Sequence, residues 1–310
     1  MAGLPDPRDT APGPRGSLVR RLTAPRRRPG LSARRDRHAP PPGDDTVPGV
    51  VIVHRSGPHD RDGTAGPNRP YRDLAALFAV EGIASIRYDK RSFVYDLAKD
   101  EQSLDNVVVA DAAAAATRLG EEERVSDVVV FGHGLGGVAT PRIARDADVT
   151  GMVLAATPTR PLAEVFLDIE RRKATADGTV THAERQRLDL FRENLARTSD
   201  LGPDDDYYIF GRATTFWRDL HALDVVRAVG GRPEPTLVLH PERSFVTTDA
   251  DRAVWADLLG HAGVRVYPDL DHLFMRVFGE SLPEAYFFPD TVVAAVAADV
   301  AAWVRDVVVP

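Results

Sequence analysis

The sequence predicts an α/β chain whose core is a mostly parallel, doubly wound sheet. Three observations predict it: short β-branched apolar runs recur along the chain, stretches of helical spacing separate them, and Gly- or Pro-bearing loops mark the changeovers. Strands joined through helices pair in parallel, and the helices cover both faces of the sheet they cross. With 310 residues, 43% of them hydrophobic and 27% charged, the chain can close one large core of this kind.

In order along the chain, Gly49 to His54 reads as a buried strand that opens into a loop from Arg55 to Pro70. Tyr71 to Val80 has helical spacing, closed by Gly82, and Ile83 to Tyr88 is the second strand. Leu104 to Leu119 is an Ala-rich helix, Val128 to Phe131 the third strand, Val138 to Arg145 a helix and Gly151 to Ala156 the fourth strand. From Thr157 to about Ala228 the alternation stops. This charged, helically patterned stretch carries Tyr207, Tyr208, Phe210, Phe216 and Trp217, and reads as a cap inserted over the carboxyl edge of the sheet. Thr236 to His240 resumes as a strand, Ala250 to Leu259 as a helix, Val264 to Tyr267 as the last strand and Thr291 to Val307 as a closing helix. The expected organisation is a leader over 1–47, a core over 48–156 and 229–310, and a helical cap over 157–228.

The net charge of −7 is unevenly spread: residues 1–47 hold ten Arg against five Asp. That leader has no Lys and no aromatic residue to stack on bases. It is therefore expected to be a flexible Pro/Arg-rich segment rather than a nucleic-acid arm, with only Gly16 to Thr23 able to supply an edge strand. The absence of cysteine excludes disulfides, a thiolate nucleophile and zinc–thiolate sites. No apolar run approaches the roughly 20 residues that span a bilayer, and the amino terminus lacks a signal-type segment. Neither metal-ligand spacing nor a phosphate-cradling motif is present. These readings point to a cytoplasmic protein that takes a small-molecule substrate, with no cofactor, no metal, no nucleic acid and no membrane; they leave the oligomeric state open.

The most telling stretch is Val128-Val129-Val130-Phe131-Gly132-His133-Gly134-Leu135-Gly136-Gly137. A β-branched run enters a tight Gly-rich turn and a helical pattern follows. In the motif G-x-S-x-G such a turn presents a nucleophilic serine in a strained backbone conformation. Here Gly134 holds the serine position. Glycine adopts those dihedrals at the least steric cost, so the turn can persist while no acyl group can be carried there. The order of elements resembles the α/β-hydrolase superfamily, and is most similar to bacterial esterases and thioesterases related to dienelactone hydrolases. Four segments carry the resemblance: His54 to Gly63, Arg87-Tyr88-Asp89-Lys90-Arg91, the elbow itself, and Tyr267 to Phe274.

The resemblance implies an α/β-hydrolase fold with a helical cap, and a site in chain order nucleophile, acid, histidine. It places the histidine at His272 and the acid position at Ser244, in the loop Pro241-Glu242-Arg243-Ser244-Phe245, where Glu242 is a neighbouring substitute. His133, beside Gly134, is implied to be structural. Arg55 and Ser92 stand where the family usually has glycine. With the serine gone, an acyl-enzyme route loses on the order of 10⁶ in turnover. The site is therefore expected to hold His272 as proton carrier, the N–H of Leu135 and of the Arg55 loop as oxyanion donors, and Arg55 as anchor for an acidic group. Ser56 is a replacement hydroxyl, Phe216 and Trp217 line an aromatic pocket, and the space at Gly134 seats the substrate. The function expected from this set is cyclisation, elimination or carbon–carbon bond formation on a polyketide-like natural product. The alternatives are a catalytically dead binding protein and an atypical hydrolase using Ser56 or activated water.

Overall fold

The computed structural model describes residues 35–38, 45–277 and 281–308. Its strands are β1 (Arg35–His38), β2 (Val47–Val53), β3 (Ala84–Tyr88), β4 (Val125–His133), β5 (Gly151–Ala155), β6 (Tyr208–Ile209), β7 (Arg212–Ala213), β8 (Thr236–Pro241) and β9 (Val264–Tyr267). Seven of them form one sheet in the order β1-β3-β2-β4-β5-β8-β9. Six of these run parallel, and β1 lies antiparallel on β3. β6 and β7 make a separate two-stranded hairpin.

The helices between them are α1 (Pro70–Val80), α2 (Arg91–Val94), α3 (Ala110–Gly120), α4 (Leu135–Asp146), α5 (Leu162–Thr175), α6 (His182–Ser199), α7 (Thr214–His221), α8 (Val225–Gly230), α9 (Asp249–Leu259) and α10 (Ala294–Trp303). Alternate side chains along each strand feed two cores. Val51, Val53, Val130, Leu154 and Val238 pack with residues of α3, α4 and the cap. Val50, Ile52, Val129, Phe131, Val153 and Leu239 pack with α1 and α10 on the opposite face. This is the doubly wound arrangement that the alternation predicts, and burial on both faces explains why the strands read as continuous apolar runs.

The edge strand departs from the sequence reading. β1 pairs Arg35 with Tyr88 and His38 with Ser85, inside the stretch read as leader, whereas Gly16 to Thr23 lies outside the described residues. Arg-Asp-Arg-His carries no apolar alternation, so only the backbone ladder to β3 reveals it as a strand. A chain cut at Pro40 would therefore lose a strand of the sheet.

Between β5 and β8, α5 and α6 pack on each other through Leu167, Ala174 and Leu188, with Val180, Phe191 and Leu195 against them. Thr181 caps α6: its hydroxyl accepts the Glu184 N–H and its own N–H donates to the Glu184 carboxylate. α8 packs against α4 and α9, so the inserted segment rejoins the sheet layers before β8.

Asp251, fully buried at the first turn of α9, ties the loop after β5 to the loop after β8. Its carboxylate accepts from the N–H and hydroxyl of Thr159, from the N–H and hydroxyl of Thr248, and from Arg160 Nε. Burial pushes this carboxyl up, but the Thr159 bonds, the Arg160 charge and the Thr248 bond outweigh it and hold it below the usual range. A depressed carboxyl stabilises the fold above the unfolded value, near 4, and that contribution fades as pH falls through the folded value. Asp251→Ala is expected to cost about 3–5 kcal/mol, the range for removing one member of a buried paired network. Denaturant unfolding at neutral pH checks it, and the deficit should shrink in acid. No helix among the described residues is long and apolar enough to cross a membrane.

Candidate active site

Gly134 sits between β4 and α4 at φ +53° and ψ −111°, a region that favours glycine. Its N–H donates to the Ala155 carbonyl at 2.9 Å, and its carbonyl accepts from Val138 N–H at 3.1 Å. The following glycines let α4 approach the sheet: a Cβ on Gly136 would meet the Val53 carbonyl oxygen at 2.7 Å. A Cβ on Gly134 would instead rest in ordinary contact, 3.4 Å from Arg55 Cβ and from His272 Cε1 and Nε2. The turn therefore aims its central position at the imidazole.

His272 follows β9 in a loop shaped by its neighbour. Asp271 Oδ1 accepts from the N–H of Leu273 at 2.8 Å and of Met275 at 3.0 Å, while Phe274 takes φ +61°. Burial raises the Asp271 carboxyl to about 6. The His272 ring is buried against His133, with centroids 4.5 Å apart, and against Phe245 at 5.8 Å. Burial and the His133 and Arg55 charges hold its pKa well below the usual histidine value, so it is neutral near pH 7.

Ser244 stands at the acid position: its Oγ is 3.3 Å from His272 Nδ1. That oxygen also accepts the N–H of Val246 and Thr247, each at 3.1 Å. A carboxylate could only accept from Nδ1–H, which would leave Nε2 free. Those two N–H groups take both Oγ lone pairs, which favours Oγ–H donating to Nδ1; only the reverse arrangement, Nδ1–H to Oγ, leaves an Nε2 lone pair toward Gly134. Glu242 does not substitute. It is exposed, and no bond from its side chain to His272 exists among the described residues.

A buried relay fixes the site from beneath. His133 Nε2 donates to the His272 carbonyl at 2.8 Å, so its Nδ1 accepts the Tyr71 hydroxyl at 3.1 Å. The Tyr71 oxygen in turn accepts Arg55 N–H at 2.9 Å. Burial and the Arg55 charge push His133 down to about 3, which keeps this tautomer neutral. The same chain of bonds removes Arg55 N–H from the oxyanion donors. The N–H groups of Ser56 and Leu135 have no acceptor among the described residues. Lys90 Nζ donates to the carbonyls of Arg55 at 3.2 Å and Gly57 at 3.1 Å, holding the loop that carries Ser56. Burial and the Arg212 and Arg55 charges push this ammonium down to about 7.

The structure thus brings together Gly134, His272, Ser244, Arg55, Ser56 and Leu135. It does not bring in Phe216 and Trp217. They form the buried face of α7, packed edge-to-face on each other, with Trp217 against Phe166 and Phe210, and Trp217 Nε1 donates to the Ile209 carbonyl. Tyr71, Lys90 and Asp271 were missed, because no local pattern marks a loop or helix residue that acts through a distant strand end. No group of three or more His, Asp or Glu able to hold a metal ion occurs among the described residues.

A parallel sheet wound on both faces, a strained strand-to-helix turn and a histidine after the last strand define the α/β-hydrolase fold. Solved structures agree. The chain aligns with Est1E of Butyrivibrio proteoclasticus, solved with ferulic acid bound, over 90% of its length and 96% of that chain, with a TM-score of 0.54 and 15% identity. It aligns with the proline iminopeptidase of Mycobacterium smegmatis over 87% and 93%, with a TM-score of 0.52 and 16% identity. No family model matches the chain. Among curated proteins it is 33% identical over 266 residues to Esterase EstD of Thermotoga maritima, covering 85% of this chain and 63% of the length of that relative.

The esterase relative overturns the expectation of a cyclase, eliminating or carbon–carbon bond-forming enzyme of natural-product biosynthesis. The geometry gives the physical reason. That expectation needed the missing side chain at Gly134 to open room for a polyketide-like substrate, yet Arg55 and His272 already approach that position to 3.4 Å.

Proposed function

We propose that the chain is a carboxylic-ester hydrolase that attacks its substrate with water rather than with a side-chain nucleophile. The carrying observation is that His272 Nε2 lies 3.4 Å from where a Cβ on Gly134 would stand, so the base faces a turn that carries no side-chain nucleophile. The likeness to Esterase EstD supports an ester as substrate. His272 Nε2 takes a proton as the water oxygen bonds to the acyl carbon, and the carbonyl oxygen gathers charge against the N–H of Ser56 and Leu135. When the intermediate collapses, the bond from the acyl carbon to the alcohol oxygen breaks and the imidazolium returns its proton to that oxygen. The products are acid and alcohol. Ser56 contributes its N–H. Its hydroxyl has no hydrogen bond to a base among the described residues.

Short-chain p-nitrophenyl esters are expected to hydrolyse above the buffer rate, linearly from the first turnover, with no serine labelled by a fluorophosphonate. A stoichiometric burst or a labelled serine would overturn attack by water. Rates equal to buffer across acetate, butyrate and hexanoate esters would overturn the hydrolase reading.

A further inference from the structure

We propose that Arg55 and Tyr286 form a recognition site for a carboxylate, so that acidic esters are preferred here over neutral ones. The word ester rests on the function proposed above; the anion site does not. Arg55 is 8% exposed. Its Nη1 donates to the Gly63 carbonyl at 3.2 Å, and no carboxylate lies within 4 Å of its guanidinium among the described residues. Nearby arginines are treated differently: Arg61 is paired with Asp89, Arg87 with Asp62 and Arg91 with Asp111. A buried guanidinium without a counter-charge is costly, and a ligand anion removes that cost.

The second observation is Tyr286. Its hydroxyl oxygen is buried and has no hydrogen-bond partner among the described residues. Its ring lies 5.9 Å from the Arg55 guanidinium carbon and 5.5 Å from the Phe245 ring, which borders His272. Tyr286 is held in place by Asn68, whose Nδ2 donates to the carbonyls of Tyr286 and Phe288, both at 3.0 Å, and whose Oδ1 accepts Asp290 N–H at 2.9 Å. A phenol donor without an acceptor and a guanidinium whose Nη1 alone is engaged, by a backbone carbonyl, both desolvated, match a two-oxygen, singly charged group. Asp271 does not fill this role. It makes no ion pair with Arg55 among the described residues, and its Oδ1 is occupied by two backbone N–H groups. Arg55 therefore sets specificity by charge beside the proton-carrying His272.

Calorimetry of the full chain with benzoate and with benzamide, its uncharged counterpart, tests the site without requiring turnover. Benzoate is expected to bind at least about 10-fold tighter than benzamide. Arg55→Met should abolish that preference and Tyr286→Phe should reduce it several-fold. If Arg55→Met fails to fold, Arg55→Lys and Tyr286→Phe carry the comparison, since a lysine keeps the charge but loses the fork. Equal affinity for the two probes, or a benzoate preference that survives both Tyr286→Phe and the Arg55 variant, would overturn the proposal. Hydrolysis of neutral esters without a benzoate preference would sink the anion site and leave the hydrolase reading standing. A benzoate preference without hydrolysis would do the reverse.

Discussion

A Gly134→Ser/Ser244→Asp double variant is expected to hydrolyse p-nitrophenyl acetate about 10³-fold faster than the natural chain, with an acyl-enzyme burst. The serine Cβ would sit 3.4 Å from His272 Nε2, within ordinary contact of Arg55 and the imidazole, so the hydroxyl arrives where the base can reach it. Aspartate at 244 would force the proton of the neutral ring onto Nδ1 and free Nε2, which the present serine does not. The expected gain lies below either separate cost, because these costs are not additive and two substitutions in a strained turn recover only part of them. Loss of the nucleophile removes on the order of 10⁶ from such a unit, and a wrong tautomer about 10⁴. Gly134→Ser alone should therefore gain far less than the pair, and Ser244→Asp alone should speed attack by water without a burst. Because position 134 is held at φ +53°, the serine also brings strain of about 1–3 kcal/mol, readable as a lowered unfolding midpoint. Equal rates in the single and double variants would show that position 244 does not govern the imidazole.

His272→Ala is expected to slow ester hydrolysis by about 10²- to 10⁴-fold, the usual contribution of a general acid/base group. The bond that His133 makes is to the backbone carbonyl of residue 272, so the relay through Tyr71 to Arg55 should survive the substitution. Loss should fall on kcat, because the imidazole acts on the proton and not on binding. The pH profile gives a second readout. The neutral ring is the active form, and burial with the His133 and Arg55 charges holds its pKa well below 6.5. The rate should therefore stay level as pH drops through 6.5 and decline only in stronger acid, and that decline should vanish in the alanine variant. A rate unchanged by the substitution would remove His272 from the chemistry.

Much of the fold was legible in the residues because the parallel sheet buries its strands on both faces. Val264 to Tyr267 coincides with β9, and Thr236 to His240 falls one residue short of β8. The helix read as Leu104 to Leu119 begins at Ala110, preceded by a wider turn over Asp105–Val109, since its apolar periodicity continues through both. The strained turn at Gly134 was also legible in its Gly-rich pattern, and the approach of positions 244 and 272 is what the family resemblance implied.

What the sequence alone determined is thus the layer architecture, while the family resemblance pointed to Gly134 at the turn and to Ser244 beside His272. Apolar periodicity is a local property, and the layers depend on little more. Only the tertiary structure decided the fate of polar residues whose partners are remote. It buried Arg55 without an acid, while Arg61, Arg87 and Arg91 in similar loops found theirs. It took Arg55 N–H away from the oxyanion donors through Tyr71, and gave the edge of β3 to Arg35–His38. It turned Phe216 and Trp217 into the packing of the cap and set Tyr286 over the site from 218 residues beyond its clasp at Asn68. Hydrogen bonds and charges act over a few ångströms of space whatever the separation along the chain, so their pairing is settled only when the sheet has brought the loops together.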